Sequence, residues 1–197
     1  ADEGVNLRNA GVQTPIIVMN PESNSFQNIL EYQLEPNIYS LGLLDSFLKF
    51  ASQNGLANYP VHLKIDTGMN RLGLKSDDEL IVACSKLVSS NLLKVKSVFS
   101  HLAGSDEKKL DDFTNMQLLS FQNKVKLISG YLSYSIDRHI LNSAGVERFT
   151  AAQFEMVRLG IGLYGVSCTN LPLQNIGTLI STISQIKILH KGETVGY

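Results

Sequence analysis

The sequence predicts an α/β fold organised on a parallel sheet, and three observations carry that prediction. Apolar, β-prone runs alternate along the chain with segments of helical periodicity. At least one run, Thr14–Asn20 (TPIIVMN), is apolar without interruption, as a strand covered on both faces must be. Polar residues also gather where the runs end: Asp66–Arg71, His101, Asn142–Ser143 and Arg158–Gly160. Strands that alternate with helices pair in parallel, and in a (β/α)8 barrel the loops at one end of all the strands build the site.

In chain order, Ala1–Gly11 reads as the tail of a helix that stops at a glycine C-cap. Thr14–Asn20 is the first strand, Ser25–Gln33 a short helix and Asn37–Ser40 a brief strand. Leu41–Asn54 follows as a helix, with Leu44, Phe47, Leu48 and Ala51 on one face and Gly55 closing it. In Val61–Leu74 (VHLKIDTGMNRLGL) an alternating strand gives way to a glycine turn that holds Lys64, Asp66 and Arg71 within eight residues. Ser76 suits a helix N-cap followed by Asp77, Asp78 and Glu79, and that helix runs to about Ser90, burying Leu80, Cys84 and Leu87. Val95–Leu102 is a strand that ends near His101. A long helix from about Glu107 to Ile128 turns Leu118, Phe121, Val125 and Ile128 inward. Arg138–Leu141 is a further strand, and Glu155–Tyr164 contains another. About six strands result, which fits either a (β/α)8 barrel short of its first two strands or a six-stranded doubly wound sheet. Beyond Val166, Ser167–Gln174 resembles a linker, and Leu179–Gly196 alternates with Lys191–Gly192 at a turn, as in the opening of a separate β domain.

Composition excludes several classes. With 44% hydrophobic and 18% charged residues in 197, the chain can bury a sizeable core, so disorder is excluded. A net charge of −1 offers no electrostatic footprint for nucleic acid or an anionic membrane. No apolar run approaches the ~18 residues of a membrane span, and Ala1–Ala10 is no signal peptide, so a cytoplasmic enzyme-like domain fits best. Two distant cysteines make no disulfide framework, and Cys84 reads as core. Gly160–Gly165 (GIGLYG) matches the spacing of a dinucleotide fingerprint but lacks the following helix and the acidic residue about 20 positions on, which argues against that use. Its glycines still allow backbone N–H groups to approach a phosphate. The four histidines have no metal-ligand spacing. His62 and His139 read as structural residues at strand starts, and His101, at a strand end, is the one marked for chemistry. The first residue is not a methionine and a new element begins at the last, so the expectation is a piece of a longer protein.

Five motifs then occur in order: Lys64-Ile-Asp-Thr-Gly-Met-Asn-Arg-Leu-Gly73, Phe99-Ser-His-Leu102, Leu141-Asn-Ser-Ala144, Met156-Val-Arg-Leu-Gly-Ile161 and Gly192-Glu-Thr-Val-Gly-Tyr197. Together they resemble alanine racemase, a family of pyridoxal 5'-phosphate enzymes with an N-terminal (β/α)8 TIM-type barrel and a C-terminal β domain. The resemblance implies that residues 1–168 are an incomplete barrel of about six of eight strands. It makes residues 169–197 the linker and opening strand of the β domain, and it puts the family's Schiff-base lysine upstream of Ala1. It implies that the parent interconverts L- and D-alanine by two-base proton transfer, supplying D-alanine for the bacterial cell wall, while this piece alone is inactive.

Position by position, the resemblance gives Arg158 the pyridine nitrogen, and Ser143, Gly160 and Ile161 the phosphate, with Asn142 beside them. Arg71 takes the cofactor's phenolic oxygen and the substrate, Met69 the substrate carboxylate, and Lys64 is a lysine carbamylated in many family members that orients Arg71. Tyr197 is the catalytic tyrosine, acting across a dimer interface, and His101 links it to Arg158. For Lys64 an ion pair with Asp66 is the plain alternative. Other readings are a racemase for another small amino acid such as serine, or a non-catalytic pyridoxal-phosphate barrel. The parent is expected to be a homodimer with no nucleic-acid or membrane partner, and this piece to self-associate through exposed strand edges.

Overall fold

The computed structural model of the chain describes residues 1–195. Its strands are β1 (Ile17–Val18), β2 (Glu35–Ile38), β3 (Tyr59–Lys64), β4 (Leu93–Phe99) and β5 (Asp137–His139), in one sheet whose spatial order is the chain order. Every adjacent pair is parallel. The helices are α1 (Asp2–Asn9) ahead of β1, then α2 (Phe26–Glu31), α3 (Leu41–Gln53), α4 (Asp77–Ser90), α5 (Asp111–Tyr131) and α6 (Ser143–Arg148), one after each strand. A doubly wound sheet must reverse its strand order at a switch point. Here each crossover steps one strand further in the same direction, which is how a barrel wall is built. The sheet is an incomplete barrel.

The sequence predicts six strands and five form among the described residues. Glu155–Tyr164 touches β5 without joining it: Met156 N–H donates to Arg138 O (3.3 Å) and Arg158 N–H to Leu141 O (3.0 Å). Beyond those two bonds the glycine-rich stretch closes into a 3₁₀ turn, Ile161–Tyr164, which ends at Gly165 with φ +89° and leaves no extended run to pair. β1 is also shorter than Thr14–Asn20. Its approach carries Pro15, which has no N–H, and the Arg8 guanidinium caps Val12 O (2.8 Å) and Thr14 O (2.7 Å). In Leu179–Val195 no strand forms, and the apolar side chains stand in solvent, Leu179 at 98% and Ile188 at 89% exposure. Alternation is a property of the segment, whereas a strand also needs a neighbour to pair with. The turn at Lys191–Gly192 does form, closed by Glu193 N–H to His190 O (3.1 Å) with Gly192 at φ +102°.

Elsewhere local chemistry and structure agree. Ser40 caps α3 by accepting from Leu43 N–H (3.2 Å), and Leu44, Phe47 and Ala51 are buried. Ser76 and Glu79 form a reciprocal capping box at α4, where Leu80, Cys84 and Leu87 enter the core. Replacing Ser76 by alanine removes the Oγ acceptor of Glu79 N–H and is expected to lower stability by about 1 kcal/mol, readable as a shift in urea midpoint. Val61–Ile65 was expected to alternate but is buried at every position, because helices cover one face of the sheet and barrel-interior residues the other. No described helix is long and apolar enough to cross a membrane.

Candidate active site

The loop after β3 is shaped by its own backbone. Asp66 Oδ1 accepts from Gly68 N–H (2.8 Å) and Asn70 N–H (3.2 Å), bending the chain away from the strand. Leu74 then returns to the strand end: its N–H donates to Lys64 O and its carbonyl accepts from Asp66 N–H, both at 2.9 Å. From α5, buried Gln117 fastens the loops after β3 and β4 together, its Nε2 donating to His101 O (3.1 Å) and to Thr67 Oγ1 (3.4 Å) while its Oε1 accepts from Ala103 N–H (2.9 Å). Met69 therefore sits on the rim of the site, and Arg71 is exposed beside it.

Lys64 closes β3 with only 5% of its surface exposed, its ammonium 5.8 Å from the centre of the Phe99 ring. It makes no salt bridge with Asp66, whose Oδ1 holds the loop. Burial, and then the cations Arg71 and Arg158, lower the Lys64 pKa, with Asp66 opposing. The plain ion-pair reading of this lysine is therefore not what forms.

Arg158 is the most heavily bonded side chain of the site. One guanidinium nitrogen, Nη1, contacts His139 Nδ1 (2.7 Å) and donates to His139 O (3.1 Å). The other, Nη2, donates to Ser100 O (2.5 Å) and Ile140 O (3.3 Å) and stands 3.4 Å from His101 Nδ1. Nε–H has no protein acceptor among the described residues, so one donor of a rigid fork remains for a ligand. Burial pulls the Arg158 pKa down to about 10, which keeps it a cation at neutral pH.

On the far side of the cleft, Asn142 caps α6, its Oδ1 accepting from Gly145 N–H (2.9 Å) and Ser105 Oγ–H (2.8 Å). That places Ser143 at the first helical position, where its Oγ accepts from Gly160 N–H (2.9 Å) and Gly162 N–H (3.1 Å). A side chain at position 162 would press on Ser143, since a Cβ there would lie 3.2 Å from Oγ and 3.3 Å from Cβ. A hydroxyl and close-lying backbone N–H groups are what a phosphate oxygen seeks. Met69, His101, Asn142, Ser143, Arg158, Gly160 and Ile161 all line one open cleft of about 440 Å³.

His101 and His139 are both held neutral. Burial first, then Arg158, Arg71 and Lys64, push His101 down to about 4; burial, Arg158 and His62 push His139 down to about 3. In the unfolded chain both titrate near 6.5, so between about 6.5 and 4 the unfolded state binds more protons and stability falls as pH falls. The unfolding free energy is expected to drop across that interval by an amount on the order of a few kcal/mol, read as a fall in urea midpoint. His139→Gln should flatten the drop, and a wild-type midpoint constant from pH 6.5 to 4.5 would contradict the assignment.

Of the residues marked in the sequence, seven meet in the cleft, and Lys64 and Arg71 stand close enough to act on His101 through their charge. Tyr197 lies outside the described residues. Sequence reasoning missed His139, which is not at a strand start but ends β5, pressed flat on Phe99 (ring centres 4.8 Å apart) and bonded to Arg158. His62 likewise lies in mid-strand. The usable signal was strand register, which no single segment contains.

Residues 1–168 match the family model described as "Alanine racemase, N-terminal domain". Alanine racemase 1 of Bacillus subtilis is 34% identical over the whole of this chain and 51% of its own length. The alanine racemase of Sorangium cellulosum is 30% identical over the whole chain and 53% of its own. Among solved structures, alanine racemase from Bacillus anthracis with bound L-Ala-P superposes with a TM-score of 0.76 at 27% identity, covering 85% of this chain and 43% of that one. The enzyme from Bartonella henselae with covalently bound pyridoxal phosphate (TM-score 0.76, 22% identity, 88% and 48% covered) shares the fold. The chain spans about half the length of the curated relatives it matches. It belongs to the alanine racemase family.

Proposed function

We propose that the protein carrying this chain interconverts L- and D-alanine with pyridoxal 5'-phosphate. Residues 1–168 would be the cofactor-bearing barrel, and 169–197 the link to a β domain. The observation that carries the reading is the pairing, across one cleft, of a fixed cationic donor, Arg158, with the Ser143–Gly160–Gly162 cluster of hydroxyl and backbone N–H groups. When bound, pyridoxal phosphate supplies an electron sink for the charge left at an amino acid's Cα.

The chain's own groups fit that cofactor at both ends. Ser143 Oγ–H and Ile161 N–H would hold the phosphate, with Gly160 N–H turning to it from Ser143 Oγ, and Asn142 fixing the helix that presents Ser143. Arg158 Nε–H would donate to the ring nitrogen. A guanidinium keeps its proton, so the nitrogen stays unprotonated and the sink stays weak, which suits a reaction that only removes and returns a proton. Arg71 and Met69 would face the substrate carboxylate, with Arg71 also reaching the ring oxygen. Buried Lys64, with its lowered pKa and two cationic neighbours, has the setting in which a neutral amine bonds the carbon of carbon dioxide, releases a proton to solvent and becomes a carbamate anion that would orient Arg71. Tyr197, assisted by neutral His101, would move the proton on one face of Cα from across a homodimer interface. The exposed apolar residues of 179–195 are the surface such a second domain or partner would cover, and alone they favour self-association. The proposed location is the cytoplasm.

The test is amino-acid turnover by the complete gene product. Conversion of L-alanine to D-alanine, abolished by removing pyridoxal phosphate, is the expected result. Preferential turnover of serine would reassign the substrate, and no racemisation of any amino acid would overturn the reading.

A further inference from the structure

Behind Arg158 a line of polar side chains crosses four strands, buried up to a partly exposed Glu35 at its far end. Arg158 Nη1 meets His139 Nδ1 on β5 at 2.7 Å, and His139 Nε2 meets Ser97 Oγ on β4 at 2.9 Å. Ser97 Oγ meets His62 Nδ1 on β3 at 2.6 Å, and His62 Nε2 meets Glu35 Oε2 on β2 at 2.7 Å. His139 and Ser97 are each 1% exposed and His62 4%, so water does not compete and each contact needs one donor and one acceptor.

The two ends fix the direction of every bond between them. Arg158 can only donate, so His139 Nδ1 must carry its lone pair and His139 Nε2 its hydrogen. That hydrogen is given to Ser97 Oγ, whose own hydrogen goes to His62 Nδ1. His62 Nε2–H is then left to donate to the Glu35 carboxylate, an acceptor. With both imidazoles neutral each hydrogen is used once. A proton added at His139 Nδ1 would set N–H against N–H beside a guanidinium. A proton added at His62 Nδ1 would aim two donors at Ser97 Oγ and leave the serine hydrogen without this acceptor.

We propose that Glu35, His62, Ser97 and His139 form a hydrogen-bond relay of fixed polarity that sets the tautomer of His139 and so positions Arg158. Hydrogen bonds in series polarise one another, so a carboxylate at the far end strengthens the lone pair that holds the guanidinium. Glu35 is thus a positioning residue acting from β2, about three strand spacings (roughly 14 Å) from β5. The meaning of the relay for catalysis rests on the proposed function, in which Arg158 faces the cofactor ring. Its existence does not.

The experiment is long-range ¹H–¹⁵N correlation of the histidine rings in this chain, which needs no cofactor. It reads the relay even where the racemase reading fails, and a correct racemase reading leaves it open to refutation. Wild type is expected to show His62 and His139 both neutral, with Nε2 protonated and Nδ1 not. Glu35→Gln, nearly the same size, should shift the ring nitrogens of His62 and, by less, those of His139. In the Ser97→Ala background, with unchanged backbone dispersion showing that the fold is intact, Glu35→Gln should no longer move His139. A protonated His139 Nδ1 would overturn the proposal. So would a His139 that ignores Glu35→Gln in wild type, or that responds equally with and without the Ser97 hydroxyl.

Discussion

Gly73→Ala is expected to lower stability by about 3–5 kcal/mol, the sum of backbone strain and overpacking at one site. Gly73 has φ +135°, a conformation L residues rarely adopt, and a Cβ built on it would lie 2.6 Å from Asp66 N and 2.7 Å from Ile65 C. Both neighbours are backbone of the strand end that carries Lys64, so neither can yield without breaking the return of Leu74 to β3. The loop from Asp66 to Arg71 would be re-aimed, and with it Met69 and Arg71. Urea unfolding gives the energy. Gly42→Ala is the control, since nothing lies within 4 Å of a Cβ there and the residue is helical. A Gly73→Ala protein as stable as wild type would contradict the close-approach account.

Arg158→Met should cost about 2–4 kcal/mol, because Ser100 O, His139 O, Ile140 O and His139 Nδ1 lose a charged donor together while cleft water restores part of the bonding. Arg158→Lys should recover little of this. A single ammonium on a flexible stem cannot reach His139 and Ser100 at once as a planar fork does. Urea unfolding of both variants tests the point, and a lysine variant that matched wild type would show that charge alone, not the fork, holds the strands' ends together.

Both predictions concern features that differ in how far the sequence discloses them. The Ser76 N-cap of α4, the Gly55 stop and the helix faces of α3 and α4 were legible because each is decided within four or so residues. Convergence of Asp66–Arg71, His101, Asn142–Ser143 and Arg158 was legible because strand ends in a parallel sheet share one face. The failures are non-local. Glu155–Tyr164 has strand-like content, yet its glycines turn it after one bond to β5 and one to Leu141 beyond it; Leu179–Val195 alternates, yet pairs with no strand among the described residues. His139 and His62 carried no local mark at all. Their roles follow from four strands lying side by side, which sets imidazole, hydroxyl and carboxylate within bonding distance. The five motifs disclosed the family without disclosing how Arg158 is held.

The central claim, that this cleft seats a pyridoxal phosphate between Ser143 and Arg158, is tested most directly by binding. Pyridoxal phosphate and pyridoxal would each be titrated into the chain and into its Ser143→Ala variant, with bound ligand followed by absorbance and equilibrium dialysis. The expected result is preference for the phosphorylated compound in wild type, with its affinity reduced about tenfold or more in Ser143→Ala, as for loss of one hydrogen bond to a charged group. Equal affinity for the two compounds, or a preference untouched by Ser143→Ala, would contradict the account.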